Sequence, residues 1–313
     1  KVTGGVCLYG SPGRVTPSSP SQTLKIKFQC DNMDIRRKRE ILTQEGSAEI
    51  GQKHQFSEED LRRLRKFRLM DDDFMSKCFE DHIECTELVV RIVLEREDLK
   101  VEQVHTQHHI KNLQGRSVIL DIYAIDKQGK RYNIEIQRAD RGAVAKRARY
   151  HSSVMDANTM MAKEEYEKLP ETYVIFITEH DVLKKNLPIY HIDRVVQETG
   201  EYFGDESHIL YVNGACQNDT PLGILMRDFS CSDPEDMHYA VLAERARYFK
   251  ENEKGVAVMC KMMEDMRNEA AQAERIQLAK NLIDSQKLSF DEIARYTTLT
   301  LEEVEKLARG GER

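Results

Sequence analysis

Hydrophobic and polar positions alternate along two neighbouring runs of the chain, between residues 117 and 137. The apolar members of the first run are Val118, Leu120, Ile122 and Ala124. Because side chains alternate between the two faces of a strand, this run predicts a strand with Asp121 on the opposite face. The second run places Glu135 and Gln137 on one face and two isoleucines on the other. Gly129 lies in the turn between the runs, so the pattern predicts a β-hairpin that collects polar groups on one face.

Further periodic segments surround the hairpin. Helical periodicity covers roughly residues 73–95, and strands are predicted over residues 101–108, 116–125, 131–138, 173–178 and 209–212. A basic amphipathic helix separates the third strand from the fourth. The resulting order, α-β-β-β-α-β, predicts an α/β fold with a mixed central sheet flanked by helices.

Composition and periodicity divide the chain into three parts. Gly, Ser and Pro are concentrated in residues 4–22, which favours a disordered segment over residues 1–56. Residues 57–230 contain the predicted sheet, and residues 231–313 form an all-helical C-terminal extension with two capping boxes, Ser289 to Glu292 and Thr300 to Glu303. The last two helices have the spacing of a helix-turn-helix, but the second is rich in glutamate, which phosphates would repel. We expect a packing or self-association hairpin. The second of these alternatives would make the protein a homo-oligomer through the C-terminal helices.

The composition excludes several classes of protein. The formal net charge is −7, so the chain is not a polycation that coats DNA, although a local basic groove remains compatible with it. Seven scattered cysteines without a Cys-x-x-Cys pair predict neither a disulfide framework nor a zinc ribbon. The adjacent His108 and His109 could bind a metal, but we expect them to be simply polar residues at a strand end. With no apolar run of membrane-spanning length, no membrane partner and a cytoplasmic location are expected.

The hairpin carries a motif that resembles a known active site. Asp121, thirteen intervening residues and Glu135-Ile136-Gln137 resemble the motif of the PD-(D/E)XK nucleases, in particular the Rpn-type recombination-promoting nucleases and PD-(D/E)XK family transposases, where Gln often takes the last position. The similarity runs from about residue 71 to residue 214. It implies a restriction-endonuclease-like core and a metal-dependent DNA endonuclease of the transposase or recombination type, that is, a Mg²⁺-dependent endodeoxyribonuclease.

The resemblance also implies roles for the motif residues. Asp121 and Glu135 would be direct ligands of Mg²⁺, with Mn²⁺ as a substitute, because Mg²⁺ in proteins is usually held by one or two carboxylates. The backbone carbonyl of Ile136 would be a further ligand. Gln137 carries no charge and accepts no proton, so it would orient water or a phosphate oxygen by hydrogen bonds. A catalytically weak or inactive nuclease-fold protein that serves as a DNA-binding or assembly module is the alternative.

Members of the family often add an acid from the preceding helix. On the predicted helix Glu87 falls at the border of the apolar face, so Glu87 rather than Glu84 is the candidate. The competing interpretation is that Glu87 pairs with Arg91 one turn later. The three consecutive acids from Asp71 are expected to cap a helix, since neighbouring helical positions do not converge.

Basic residues follow the hairpin. Five of them stand against the single Asp140, and they are Arg138, Arg141, Lys146, Arg147 and Arg149. Positive charge beside a metal site suits a phosphate backbone, so Arg138, Lys146 and Arg147 are the predicted DNA contacts. The alternative is a solvated helix face without a binding role. Tyr150 is expected to support the packing.

Overall fold

The computed structural model describes residues 56–112, 115–139 and 142–310. The N-terminal segment expected to be disordered, residues 1–56, lies outside the described residues except for Phe56. Arg141, one of the basic residues after the hairpin, also lies outside them. Within the described part of the chain, no helix is long and apolar enough to cross a membrane.

Helices and strands alternate in the first two thirds of the described chain, and helices alone follow. The helices are α1 (Glu58–Arg65), α2 (Asp72–Phe79), α3 (Ile83–Val93), α4 (Ala145–Ala157), α5 (Pro221–Ser230), α6 (Ala240–Glu251), α7 (Glu253–Ser285), α8 (Phe290–Thr297) and α9 (Leu301–Gly310). The strands are β1 (Val101–Ile110), β2 (Val118–Asp126), β3 (Arg131–Gln137), β4 (Thr172–Thr178), β5 (Ile189–Ile192) and β6 (Ser207–Asn213).

The six strands form one mixed sheet in the order β1-β2-β3-β4-β6-β5. Neighbours run antiparallel from β1 to β3, parallel from β3 through β4 to β6, and antiparallel between β6 and β5. The sheet is flanked by helices, and the fold is the predicted restriction-endonuclease-like α/β fold with C-terminal helices. The short β5 was not predicted, because four residues carry little periodicity.

Two buried clusters lie against the sheet. The first includes Ile122, Ile134 and Ile175 with residues of α2, α3 and α5, and it continues through Phe249 of α6 to Met263 of α7. The second includes Phe176 and residues of α4. The boundary expected at residue 231 thus falls between helices that share the first cluster.

The alternation predicted for β2 changes at Asp121. Ile122 and Ala124 lie in the first cluster, whereas Val118 and Leu120 pack in the second. The prediction of one common face for these four residues is therefore wrong. In the ladder between β1 and β2, the residues on either side of Gln107 pair with Leu120 and Ile122, so Gln107 lies opposite Asp121. Gln107 has a left-handed φ of 49°. Because that conformation turns the strand, the distal part of the β1–β2 pair bends away from the first face.

The helix predicted over residues 73–95 is two helices. α2 ends before Glu80, and Asp81 adopts a left-handed φ of 54° before α3 begins. No Pro or Gly marks this break in the sequence, so periodicity alone extended the helix across it.

The C-terminal helices α8 and α9 pack on the end of α7 in a third cluster around Ala279, Ile293 and Val304. Both predicted capping boxes are confirmed. Ser289 Oγ accepts from the Glu292 amide while the Glu292 carboxylate accepts from the Ser289 amide, and Thr300 and Glu303 repeat the arrangement.

Candidate active site

The hairpin brings Asp121 and Glu135 together. Ladder pairing between β2 and β3 ends at Ile122 and Ile134, so the two acids occupy the next opposed positions, where the strands separate. The Asp121 amide donates to Glu135 Oε1 at 3.4 Å, and the Ile136 amide donates to Asp121 Oδ2 at 3.0 Å. Side-chain carboxylates thus take over backbone hydrogen bonds that the ladder no longer satisfies.

Both acids are withdrawn from water. Asp121 is 7% exposed and Glu135 is fully buried. Burial raises the pKa of the Asp121 carboxyl to about 8, helped by the nearby charges of Glu135 and Asp72 and opposed by the Ile136 amide and by Arg147. Crowded like charges in a dry site resist ionising together, as active-site carboxylates commonly do.

Glu135 is held by two residues of α4. Arg147 Nη2 donates to Glu135 Oε2 at 2.6 Å, and His151 Nδ1 lies 3.3 Å from Glu135 Oε1. Arg147 Nε also donates to His151 Nε2 at 3.3 Å, so the neutral ring carries its proton on Nδ1, toward Glu135. Asn133 Nδ2 lies 3.1 Å from the same Nδ1, whereas Asn133 Oδ1 is buried without a hydrogen-bond partner. If the Asn133 amide is rotated by 180°, its oxygen can accept a hydrogen bond from His151 Nδ1.

The acid that α2 presents to this pair is Asp72. Its pKa is raised by partial loss of solvation, then by Asp73 and by Glu135, and Gln107 Nε2 donates to Asp72 Oδ1 at 3.4 Å. The bent β1 therefore brings Gln107 to the acid of α2. Sequence reasoning treated the three consecutive acids as caps. Asp71 does occupy the N-cap position, but its side chain makes no capping hydrogen bond.

Glu87 lies elsewhere. Its carboxylate receives Arg91 at 2.7 Å, Lys100 at 3.2 Å and the Val101 amide at 3.0 Å, at the start of β1. Gln107, which lies opposite Asp121, is six residues further along β1, or roughly 20 Å. The structure therefore does not bring Glu87 to the carboxylate pair, and the alternative of pairing with Arg91 describes its contacts.

Gln137 ends β3 beside the loop that leads to α4. A Cβ on Gly142 would lie 2.0 Å from Gln137 Oε1, so only a glycine permits this approach without moving the amide. The Gly142 carbonyl in turn accepts from Arg147 Nη1 at 3.0 Å. Gln137, Gly142 and Arg147 thus form one edge of the site.

The predicted DNA-contact residues differ in their surroundings. Arg138 pairs with Asp71 at 2.8 Å and with Glu179 at 3.6 Å, while Arg147 points inward to Glu135. Lys146 is exposed at the start of α4. The Tyr150 hydroxyl donates to the Arg116 carbonyl and accepts from Asn112, which ties α4 to the end of β1 and supports the packing role expected of it.

The donor set is compatible with a hard divalent cation. Two adjacent carboxylate side chains, one of them with a pKa raised by burial and then by its acidic neighbours, suit Mg²⁺, which proteins usually hold by one or two carboxylates. No group of three or more His, Cys, Asp and Glu side chains within the described ranges is arranged as a metal site. The fit therefore rests on the Asp121 and Glu135 pair, with Arg147 occupying one Glu135 oxygen.

The comparison with protein families agrees with the restriction-endonuclease-like fold described above. The family model described as PD-(D/E)XK nuclease family transposase matches residues 90–215, from α3 to the residues after β6. The family resemblance inferred from the hairpin motif is thereby confirmed for this segment. Asp72 lies outside the match. No curated protein and no solved structure matches the chain.

Proposed function

We propose that the protein is a metal-dependent DNA endonuclease of the transposase or recombination type that hydrolyses phosphodiester bonds. The observation that carries this proposal is the buried Asp121 and Glu135 pair, placed where β2 and β3 separate and within a segment that resembles PD-(D/E)XK transposases. Among the described residues Asp121 makes no direct ion pair, and Arg147 only partly offsets the crowding of the two buried acids; such a pair suits a divalent cation better than it suits folding.

Asp121, Glu135 and the Ile136 carbonyl would hold Mg²⁺, which polarises a phosphate and lowers the pKa of bound water. Gln137 would orient water or a phosphate oxygen from the edge of the site. Asp72 replaces Glu87 as the proposed helix acid, because its carboxyl interacts with the pair. Arg147 and His151 fix the Glu135 carboxylate, and Arg147 has a second role open to it, the neutralisation of charge on the phosphoryl oxygens.

DNA would approach along the N-terminal half of α4. Lys146 and Arg149 are exposed on this helix, so they are the cations most available to a phosphate backbone. Arg138 would have to exchange its carboxylate partners for phosphate. Because phosphate contacts release counterions, binding should weaken steeply with salt.

Plasmid nicking tests the proposal. Supercoiled plasmid is incubated with Mg²⁺ or Mn²⁺ and wild type, Asp121→Asn, Glu135→Gln, Asp72→Asn or Glu87→Gln, with EDTA as the metal-free control. We expect nicking that EDTA abolishes, and a loss of roughly 100-fold or more in the first two variants. Asp72→Asn should reduce nicking, whereas Glu87→Gln, the matched helix acid outside the site, should not. Undiminished nicking in both Asp121→Asn and Glu135→Gln would refute the assignment.

The second candidate function is a DNA-binding or assembly module with little or no cleavage. Two features favour it: the uncharged Gln137, and the Arg147 guanidinium that occupies a Glu135 oxygen. This candidate predicts plasmid retardation that is sensitive to salt and needs no metal, with no nicked product in Mg²⁺ or Mn²⁺.

A further inference from the structure

A pocket of about 310 Å³ lies on the α4 side of the sheet. It is lined by the end of β1 together with the residue that follows it (His108–Lys111), by Tyr123 of β2, by Arg131 of β3 and by the C-terminal end of α4. Arg131 and Glu135 are four residues apart on β3, roughly 13 Å, with Asn133 and its His151 contact between them. The pocket is therefore separate from the carboxylate pair.

The lining is cationic. Among the described residues that line the pocket, Lys111 and Arg131 are charged, His108 and His109 are ionisable, and none is acidic. Arg131 Nη1 donates to the Tyr123 hydroxyl at 2.6 Å, while Arg131 Nε is buried with no hydrogen-bond partner. A buried guanidinium donor without a partner costs free energy, so the Arg131 side chain would gain by turning toward an anionic ligand in the pocket.

The positive charge of the pocket comes from Lys111 and Arg131. The pKa of His108 is lowered by burial and then by the neighbouring His105 and His109, which disfavour a further positive charge. Arg131 also acts on Asp156: burial raises the pKa of the Asp156 carboxyl, and the charges of Arg194 and Arg131 oppose that rise. Asp156 does not line the pocket, and its Oδ1 is buried without a partner. The local positive charge is thus only partly compensated.

We propose that this pocket binds a phosphate group, carried either by a nucleotide or by the end of a nucleic-acid strand. The forked guanidinium of Arg131 matches phosphate oxygens, and Lys111, which also lines the pocket, supplies a second charge. Two permanent cations favour a dianion over a carboxylate. The rings of His108 and Tyr123, which both line the pocket, stack with their centroids 4.8 Å apart. The proposal does not depend on cleavage at Asp121 and Glu135.

Calorimetric titration of the full chain with inorganic phosphate, in EDTA and with acetate as the comparison anion, tests the pocket. We expect saturable phosphate binding and no acetate binding. Lys111→Gln and Arg131→Gln should each weaken phosphate binding about tenfold, the loss of one charge-assisted contact. Asp156→Asn should tighten binding, because it removes the acid that acts on Arg131.

Lys127→Gln is the matched control, since Lys127 is exposed in the β2–β3 turn and outside the pocket. Absence of saturable binding, or equal weakening by Lys127→Gln and Lys111→Gln, would overturn the proposal. Because Lys111 is exposed, its substitution tests the pocket even where Arg131→Gln fails to fold.

The source of the phosphate is decided by competition against inorganic phosphate. If a 5′-phosphorylated oligodeoxynucleotide binds more tightly than its 5′-hydroxyl form, and if Lys111→Gln removes this difference, the pocket binds strand ends. Competition by a mononucleotide alone assigns it to nucleotides. Failure of both competitors, with phosphate binding unaffected by Lys111→Gln, rejects the pocket as the site. A nuclease-dead Glu135→Gln chain should bind phosphate normally, so this result stands apart from the outcome of the nicking experiment.

Discussion

Asp121 ionises against burial and against the charges of Glu135 and Asp72, and its pKa of about 8 lies far above the ordinary 3.8. The folded chain therefore holds a proton that the unfolded chain releases at lower pH. The stability that this protonation contributes is fully present below pH 4. It is lost as the pH rises from about 4 to about 8, and it does not change further above that range.

Asp121→Asn is therefore expected to stabilise the fold while it removes activity. The asparagine oxygen can still accept from the Ile136 amide, and no charge has to be buried. The gain in unfolding free energy should grow between about pH 4 and pH 8 and reach several kcal/mol, at about 1.4 kcal/mol for each unit of pKa shift. Denaturant unfolding of both chains at pH 4.5, 6 and 8 measures it. A gain that is independent of pH, or a loss at pH 8, would contradict the raised pKa.

Arg147 compensates the fully buried Glu135, so its removal should cost more than a surface ion pair. We expect Arg147→Ala to lower the unfolding free energy by about 2 kcal/mol, since it leaves a buried charge without its main partner. In the Glu135→Gln background the same substitution should cost much less. A double-mutant cycle from urea unfolding gives the coupling, and additive costs would show that the two side chains do not depend on each other.

Sequence reasoning placed Asp121 and Glu135 correctly beside each other because strand periodicity and a turn glycine determine which residues of a hairpin oppose. It failed at the third acid. Asp72 approaches the pair through the packing of α2 and the bend at Gln107, and neither leaves a periodic signal. Glu87 was chosen from a helical projection across residues 73–95, and that projection has no meaning once Asp81 interrupts the helix.

At the scale of elements, the joint between α6 and α7 depends on a glycine. A Cβ on Gly255 would lie 2.2 Å from the Tyr248 carbonyl oxygen, which is backbone and cannot rotate away. The first turn of α7 therefore packs directly on the last turns of α6, within the cluster that also covers the sheet. The sequence shows a single Gly near a helix start, which carries no hint of this contact.

Gly255→Ala should lower the unfolding free energy by about 1 to 3 kcal/mol, because α6 and α7 must separate to admit the methyl group. Gly310→Ala is the matched control, since nothing lies within 4 Å of its added Cβ. At that helical position Ala should be neutral or stabilising. Thermal unfolding compares the two variants, and equal melting temperatures for Gly255→Ala and wild type would mean that the helices tolerate the wider joint.

At the scale of the whole molecule, α7 joins two separate buried clusters. Met263 is its last residue in the first cluster and Ala279 its first buried residue in the third. The intervening turns bury no side chain, so they transmit little stabilisation between the sheet and the helices α8 and α9. Their contacts lie near the two ends, where Arg267 pairs with Asp60 of α1 and Ile276 packs against the third cluster.

Hydrogen exchange should consequently divide the chain into two cooperative units. Amides of β2, β3 and β4 are expected to exchange only through global unfolding, whereas those of α8 and α9 should exchange at a lower free energy and through a separate opening. Ser289→Ala removes the oxygen that caps α8 and should lower the opening free energy of α8 and α9 by about 1 kcal/mol without changing exchange in the strands. If the substitution lowered the opening free energy of the strands equally, the turns of α7 between the first and third clusters would have to couple them. Self-association through α7 would then be the explanation, and sedimentation would test it.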